Sequence, residues 1–134
     1  MKFGIFYEHQ LPRPWEADGE YNLLQNSLSQ IELADRLGYD YAWMVEHHFL
    51  EEYSHASSPE TFLGAASQRT HNIRLGFGII QATTNQPHRV AEKVSTLDLL
   101  SGGRNSAWAK VPARRNCTPS APRCGRNGIV GKRP

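Results

Sequence analysis

Short apolar runs alternate with amphipathic stretches along the first hundred residues, and this alternation restricts the chain to few folds. Strands are predicted at Lys2 to Tyr7, Tyr41 to Val45 and Ile73 to Ile80, where aromatic and β-branched residues cluster. Each predicted strand is followed by a helical pattern. Since strands separated by helices form parallel sheets with right-handed crossovers, the order βαβαβα predicts an α/β protein.

Three helices are predicted in the intervening segments. Apolar residues recur every three or four positions from Tyr21 to Leu37, which indicates an amphipathic helix. Ser57 stands three residues before Glu60, the spacing of a capping box, and predicts a second helix over about 59 to 69. A third helix is predicted from Pro87 to Leu100, because proline suits a first helical position.

Polar residues follow each predicted strand at its carboxyl end. These are Glu8-His9, Glu46-His47-His48 and the loop beginning at Gln81. Parallel strands deliver such residues to one face, so we expect them to gather around a common mouth. Imidazole can transfer a proton near neutral pH, and Glu46 could fix its tautomer. The alternative interpretation, that these are merely polar residues at loop starts, stays open.

The loop after the first strand narrows the choice of α/β fold. It reads Glu-His-Gln-Leu-Pro-Arg-Pro over residues 8 to 14 and contains no Gly-x-Gly-x-x-Gly, which argues against a dinucleotide-binding dehydrogenase and favours a (β/α)8 barrel. A metal site is disfavoured, because successive strand residues such as His47 and His48 point to opposite faces. The aromatic residues of the strands are expected to lie in the core: Phe3, Phe6, Tyr7, Trp43 and Phe77.

The composition changes abruptly after Arg104. Residues 1–104 hold all thirteen acidic residues and eight Lys or Arg, a net charge of −5, whereas residues 105–134 hold seven basic residues, no acid, both cysteines and four of the eight prolines. The body is thus thiol-free, and no apolar stretch is long enough to span a bilayer. We expect a cytoplasmic protein with no membrane or nucleic-acid partner.

Five segments, in register with the predicted elements, resemble the bacterial luciferase-like family of flavin-dependent monooxygenases. The resemblance covers residues 1 to 104 and is carried by Met1-Lys2-Phe3-Gly4-Ile5-Phe6-Tyr7-Glu8-His9-Gln10, Val45-Glu46-His47-His48-Phe49, Ile73-Arg74-Leu75-Gly76, Pro87-His88-Arg89-Val90-Ala91-Glu92 and Leu97-Asp98-Leu99-Leu100-Ser101-Gly102-Gly103-Arg104.

The resemblance implies a fold, a cofactor and site residues. It implies a (β/α)8 barrel that binds reduced flavin mononucleotide (FMN), or in one branch the deazaflavin coenzyme, and uses dioxygen to oxygenate a small organic substrate. His47 matches the histidine that acts as acid or base beside the flavin, and His48 is the second candidate. Glu46 and the pair Gly78-Ile79 are the implied cofactor-binding residues, with a non-proline cis peptide between the last two.

Residues 105 to 134 depart from the family pattern, which continues into a fourth strand typically reading Val-Glu-x-Gly-x-Gly. One codon choice for residues 105 to 112, shifted by one nucleotide, reads Glu-Leu-Gly-Leu-Gly-Lys-Gly-Ser. We therefore expect a frameshift-derived, disordered tail rather than a purposeful basic arm, its alternative. The chain is then a truncated, inactive barrel of three βα units. A non-catalytic fragment that pairs through its exposed sheet edge with a full-length relative or a second copy is the alternative.

Overall fold

A computed structural model describes residues 1–104 of the 134-residue chain. The elements are β1 (Gly4–Tyr7), α1 (Gly19–Arg36), β2 (Tyr41–Met44), α2 (Pro59–Arg69), β3 (Arg74–Phe77) and α3 (Pro87–Leu100). The predicted α/β class and the order βαβαβα are confirmed. The predictions for the tail, including its disorder and its origin in a frameshift, fall on residues 105–134 and lie outside the described residues.

The three strands form one parallel sheet in the order β1-β2-β3. Gly4 is aligned with Tyr41, and Tyr41 in turn with Arg74. Each strand has four residues and is shorter than predicted, and side chains bind part of the backbone at the strand ends. Phe3 N–H donates to the Asp40 carboxylate before β1 (2.8 Å), and Gln81 N–H donates to the Glu46 carboxylate after β3 (3.0 Å).

The helices cover one face of this sheet and form the core with it. Alternate strand residues, among them Ala42, Met44, Leu75 and Phe77, pack against apolar residues of the helices: Leu28, Ile31, Phe62, Leu63, Ala66 and Leu97. Because side chains alternate along a strand, the intervening residues point to the opposite face. The expectation that all strand aromatics lie in the core is therefore wrong for Phe6, which is 55% exposed on that opposite face. It is also wrong for Phe3, which precedes β1 and is 58% exposed.

The ends of helices α1 and α2 differ in how well they match the predicted signals. Ser58 is the N-cap residue of α2 and makes no side-chain cap hydrogen bond, so the capping box is absent. Glu60 instead pairs with Lys93 of α3 (2.7 Å). Gly38, just beyond α1, adopts φ +81°, a conformation that glycine tolerates best. Within residues 1–104, no helix has the length and apolarity needed to cross a membrane.

Two charged side chains clamp the loop that leads into β3. The Asp35 carboxylate of α1 accepts the backbone N–H groups of residues 71 to 73 at 2.6–2.9 Å. Burial alone would raise the pKa of Asp35, but these bonds and the charge of Arg104 outweigh it and lower the pKa. The Arg104 guanidinium donates to the carbonyls of Ser67, Thr70, Ile73 and Ser101 and to the Thr70 hydroxyl, at 2.8–3.0 Å.

Candidate active site

The carboxyl ends of the three strands meet, as the sequence predicts, and bring two histidines next to two carboxylates. His47 Nε2 lies 3.2 Å from Glu8 Oε2, and His48 Nε2 lies 2.9 Å from Glu46 Oε1. The loop after β3 joins them through Gln81, whose N–H donates to Glu46. The site therefore contains two separate histidine–carboxylate pairs: the His47–Glu8 pair joins the ends of β1 and β2, and the His48–Glu46 pair lies within the segment after β2.

The backbone N–H of His47 is hydrogen-bonded, whereas one of its ring nitrogens has no partner among residues 1–104. Its N–H donates to Ala56 O (2.9 Å), and its ring contacts Tyr53 edge-on, with the ring centroids 5.8 Å apart. Within residues 1–104, the buried Nδ1 has no hydrogen-bond partner. Glu8 Oε2 is also buried and, although it is close to His47 Nε2, lacks good hydrogen-bond geometry. Such unsatisfied groups are costly unless a ligand or water bonds to them.

Glu46 is buried and accepts more hydrogen bonds than any other side chain near the two histidines. Besides His48 and the Gln81 N–H, the Asn85 amide donates to both of its oxygens (2.8 and 2.9 Å) and the Thr84 hydroxyl to one (3.3 Å). Burial alone would raise the pKa of Glu46, but the bonds from His48, Gln81 and Asn85 outweigh it and lower the pKa. The carboxylate is thus ionised at neutral pH.

Asn85 and Thr84 were missed by sequence reasoning, because a polar loop carries no periodicity that marks individual side chains. Asn85 also accepts a hydrogen bond from Lys93 Nζ of α3 (3.0 Å). Glu46 was expected to bind a cofactor, and in the structure it also holds the loop after β3 through Gln81 and Asn85. Its cofactor-binding role stays a prediction.

His9 does not join the mouth, which corrects the expectation drawn from its position after β1. It is 3% exposed and packs edge-on against Phe62 of α2, with centroids 4.7 Å apart. Strand alternation turns Glu8 toward His47 and His9 toward the helices. Burial, followed by the charge of His55, lowers the pKa of His9 to about 4. Burial likewise raises the pKa of neighbouring Tyr7 to about 12.

The peptide between Gly78 and Ile79 is trans, and the expected cis bond is wrong for this structure. Within the described residues, the only cis peptide is Arg13-Pro14. Trans is the ordinary state of a non-proline bond, and Gly78 N–H donates to Met44 O (2.7 Å), which continues the sheet ladder by one residue. A Cβ at Gly78 would meet the Phe6 ring at 2.7 Å, so glycine permits this ring to lie against the backbone.

The two histidine–carboxylate pairs also bear on metal binding. His47 and His48 turn to different carboxylates, and among residues 1–104 no three His, Cys, Asp or Glu side chains are grouped to hold an ion. Each histidine thus faces its own carboxylate.

Three parallel strands in the order β1-β2-β3, each followed by a helix, match the first part of a (β/α)8 barrel. The profile of the luciferase-like monooxygenase family matches residues 1–106, and the chain belongs to this family. It is 40% identical over 106 residues to limonene 1,2-monooxygenase of Rhodococcus erythropolis, a match that covers 78% of this chain and 26% of that protein. The chain thus spans about a quarter of that relative's length.

Solved structures confirm the fold. The FMN-bound oxygenating constituent of 3,6-diketocamphane monooxygenase from Pseudomonas putida superimposes with a TM-score of 0.68 at 22% identity, over 78% of this chain and 28% of that one. The coenzyme F420-dependent tetrahydromethanopterin reductase of Methanopyrus kandleri superimposes with a TM-score of 0.59 at 29% identity, over 81% and 26%. The predicted fold, part of a luciferase-like barrel, is therefore confirmed. Both predicted cofactor types occur among these structural neighbours.

Proposed function

We propose that residues 1–104 form the proton-transfer portion of a flavin-dependent monooxygenase site that uses dioxygen and a small organic substrate. The observation that carries this proposal is the pairing of His47 with Glu8 and of His48 with Glu46 at the carboxyl ends of adjacent parallel strands. In barrels, this face is where reactive groups assemble.

The residues at this end of the sheet fit a flavin. A flat ring with polar edges needs hydrogen-bond partners, and His47 Nδ1 and Glu8 Oε2 are buried and unsatisfied within the described residues. Gly78 leaves no side chain between the backbone and the Phe6 ring on the helix-free face. We propose that His47 and His48 flank the reactive edge of the flavin and that Gly78 and Ile79 lie under the flavin ring.

Each of these residues has a separate task in the proposal. When bound, reduced flavin supplies the electrons that activate dioxygen. His47 holds or moves a proton at Nδ1, since its Nε2 faces Glu8. His48 presents its Nδ1, since its Nε2 faces Glu46. FMN is the proposed cofactor, because the relative at 40% identity is a monooxygenase, and the deazaflavin coenzyme is the alternative.

A chimera tests the role of His47. Residues 1–104 replace the equivalent segment of the Rhodococcus limonene monooxygenase, and oxygenation of limonene is measured. The chimera should be active, and His47→Gln should lower its kcat by about 10²- to 10⁴-fold, the usual contribution of a general acid or base. His88→Gln, at an exposed residue at the start of α3, is the control and should keep full activity. Unchanged kcat in both His47→Gln and His48→Gln would refute the proposal.

We further propose that the 134-residue polypeptide by itself is an inactive, truncated form located in the cytoplasm. The three strands described for residues 1–104 cannot close a barrel, and phosphate sites in such barrels come from loops after the seventh and eighth strands. Purified chain mixed with FMN should therefore elute from gel filtration without flavin absorbance. The frameshift proposal is tested by the gene, where a one-base correction after the codon for Arg104 must restore a long family-like reading frame.

A non-catalytic interaction fragment is the second candidate. It is favoured by the outer edge of β1, which no strand within residues 1–104 covers, and by the exposed Phe6 of β1 and Phe3 just before it. Exposed edges pair readily with other strands. Co-purification with a full-length relative in a fixed ratio would support this function, and loss of that complex in a Phe6→Thr variant would locate it.

A further inference from the structure

A chain of polar contacts runs from helix α3 to His48. Lys93 Nζ contacts Glu60 Oε1 (2.7 Å) and donates to Asn85 Oδ1 (3.0 Å). The amide nitrogen of Asn85 then donates to both oxygens of Glu46, and Glu46 Oε1 contacts His48 Nε2 at 2.9 Å. Lys93 and Asn85 touch neither histidine, so any effect they have on His48 passes through Glu46.

The chemistry of these groups permits only one arrangement of protons. An ammonium group only donates and a carboxylate only accepts, so the Asn85 amide must turn its oxygen to Lys93 and its nitrogen to Glu46. A reversed amide would place oxygen against carboxylate oxygen. Glu46, ionised and already bonded, must then receive a proton from the imidazole, which puts the hydrogen of a neutral His48 on Nε2 and leaves the Nδ1 lone pair free.

We propose that Asn85 and Lys93 are positioning residues that, through Glu46, hold neutral His48 in the Nε2–H tautomer and so leave Nδ1 unprotonated. This inference rests on the proposed function, because it names which nitrogen of His48 is available for proton transfer. Lys93 also pairs with Glu60 of α2.

The tautomer of His48 can be measured in the full 134-residue chain without flavin. Long-range ¹H–¹⁵N correlation spectra of the labelled protein at pH 8 assign the protonated ring nitrogen. The wild-type chain should show Nε2–H in excess by about tenfold or more, since a hydrogen bond to a charged group is among the stronger ones. Lys93→Met and Asn85→Leu should reduce that excess to below about threefold.

Two variants make the comparison specific. Arg89→Met removes a cation from α3 that pairs with Glu92 and should leave the tautomer ratio unchanged. Lys93→Arg keeps the positive charge and should restore the wild-type ratio, which a general loss of stability would not do. Lys93 is half-exposed, so the Met and Arg variants at this position decide the matter even if Asn85→Leu does not fold.

Two results would overturn the inference: both tautomers in the wild-type chain, or an unchanged ratio in Lys93→Met. Neither depends on flavin. A chain with the expected tautomer ratios whose chimera is insensitive to His47→Gln and His48→Gln refutes the proposed function and keeps the positioning role. The reverse pattern keeps the function and refutes the positioning role.

Discussion

His9 illustrates how a single residue is assigned by its neighbours rather than by its place in the sequence. It follows β1 directly, as the reactive residues follow β2, yet it lies against Phe62 with both ring nitrogens buried and unpaired within the described residues. Its φ of +52° is uncommon for a residue with a side chain. A buried imidazole without partners stays neutral, and folding therefore disfavours its protonation.

This burial predicts an acid-sensitive stability. His9 has a pKa of about 4 when folded and an ordinary value of 6.5, so the unfolded chain binds the proton first. The contribution of His9 is complete above pH 6.5, falls as the pH drops from 6.5 to 4, and changes no further below. About 3 kcal/mol of unfolding free energy should be lost across that window.

Urea denaturation at a series of pH values checks this prediction. His9→Asn is the matched variant, because asparagine tolerates the same backbone conformation and does not titrate. His55, paired with Glu20, remains in both proteins. The variant should lose distinctly less stability between pH 6.5 and 4 than the wild type, and equal losses would contradict the prediction.

At the scale of elements, the segment between α2 and β3 depends on charged side chains that belong to other elements. Asp35 supplies acceptors for three consecutive backbone N–H groups, and Arg104 supplies five hydrogen bonds to the end of α2 and its surroundings. Without them, the backbone of this turn would be buried without partners, which is costly. The hydrogen bonds of Asp35 and Arg104 thus fix the position at which β3 begins.

Arg104→Lys should therefore lower the free energy of unfolding by about 2 kcal/mol, because a lysine cannot reproduce the planar fork and leaves several acceptors unpaired. The measurement is chemical denaturation at neutral pH. Arg74→Lys, at an exposed position on β3, is the control and should change stability by less than about 0.5 kcal/mol. Equal effects of the two substitutions would show that the fork geometry of Arg104 is unimportant.

At the scale of the whole molecule, the described sheet is covered on one face only. Phe3 and Phe6 are more than half exposed, and the face with Gly4, Phe6 and Trp43 is the one opposite the helices. A sheet with an uncovered apolar face and an edge strand, β1, that no second strand within residues 1–104 covers is prone to association. This arrangement follows from the barrel fold, in which that face points to the interior.

The purified chain should bind an apolar fluorescent dye and sediment as more than a monomer. Phe6→Thr should reduce both effects with little loss of stability, because the Phe6 ring is 55% exposed. Leu37→Thr removes an equally exposed apolar side chain (67%) at the end of α1, away from the sheet face, and should leave both unchanged. A monomer without dye fluorescence would refute this prediction.

Hydrophobic patterning determined the class, the element order and the meeting of the strand ends, since periods of 2 and 3.6 are local properties of the chain. The motif containing His47 and His48 located the candidate site, because a short motif is also a local property of the chain. Only the tertiary structure decided which residues lie in that site. Thr84 and Asn85 contact Glu46 across 38 and 39 residues of sequence, and Lys93 joins them through Asn85. His9 is withdrawn by strand alternation and packing. Such pairings depend on three-dimensional proximity, which sequence spacing does not encode.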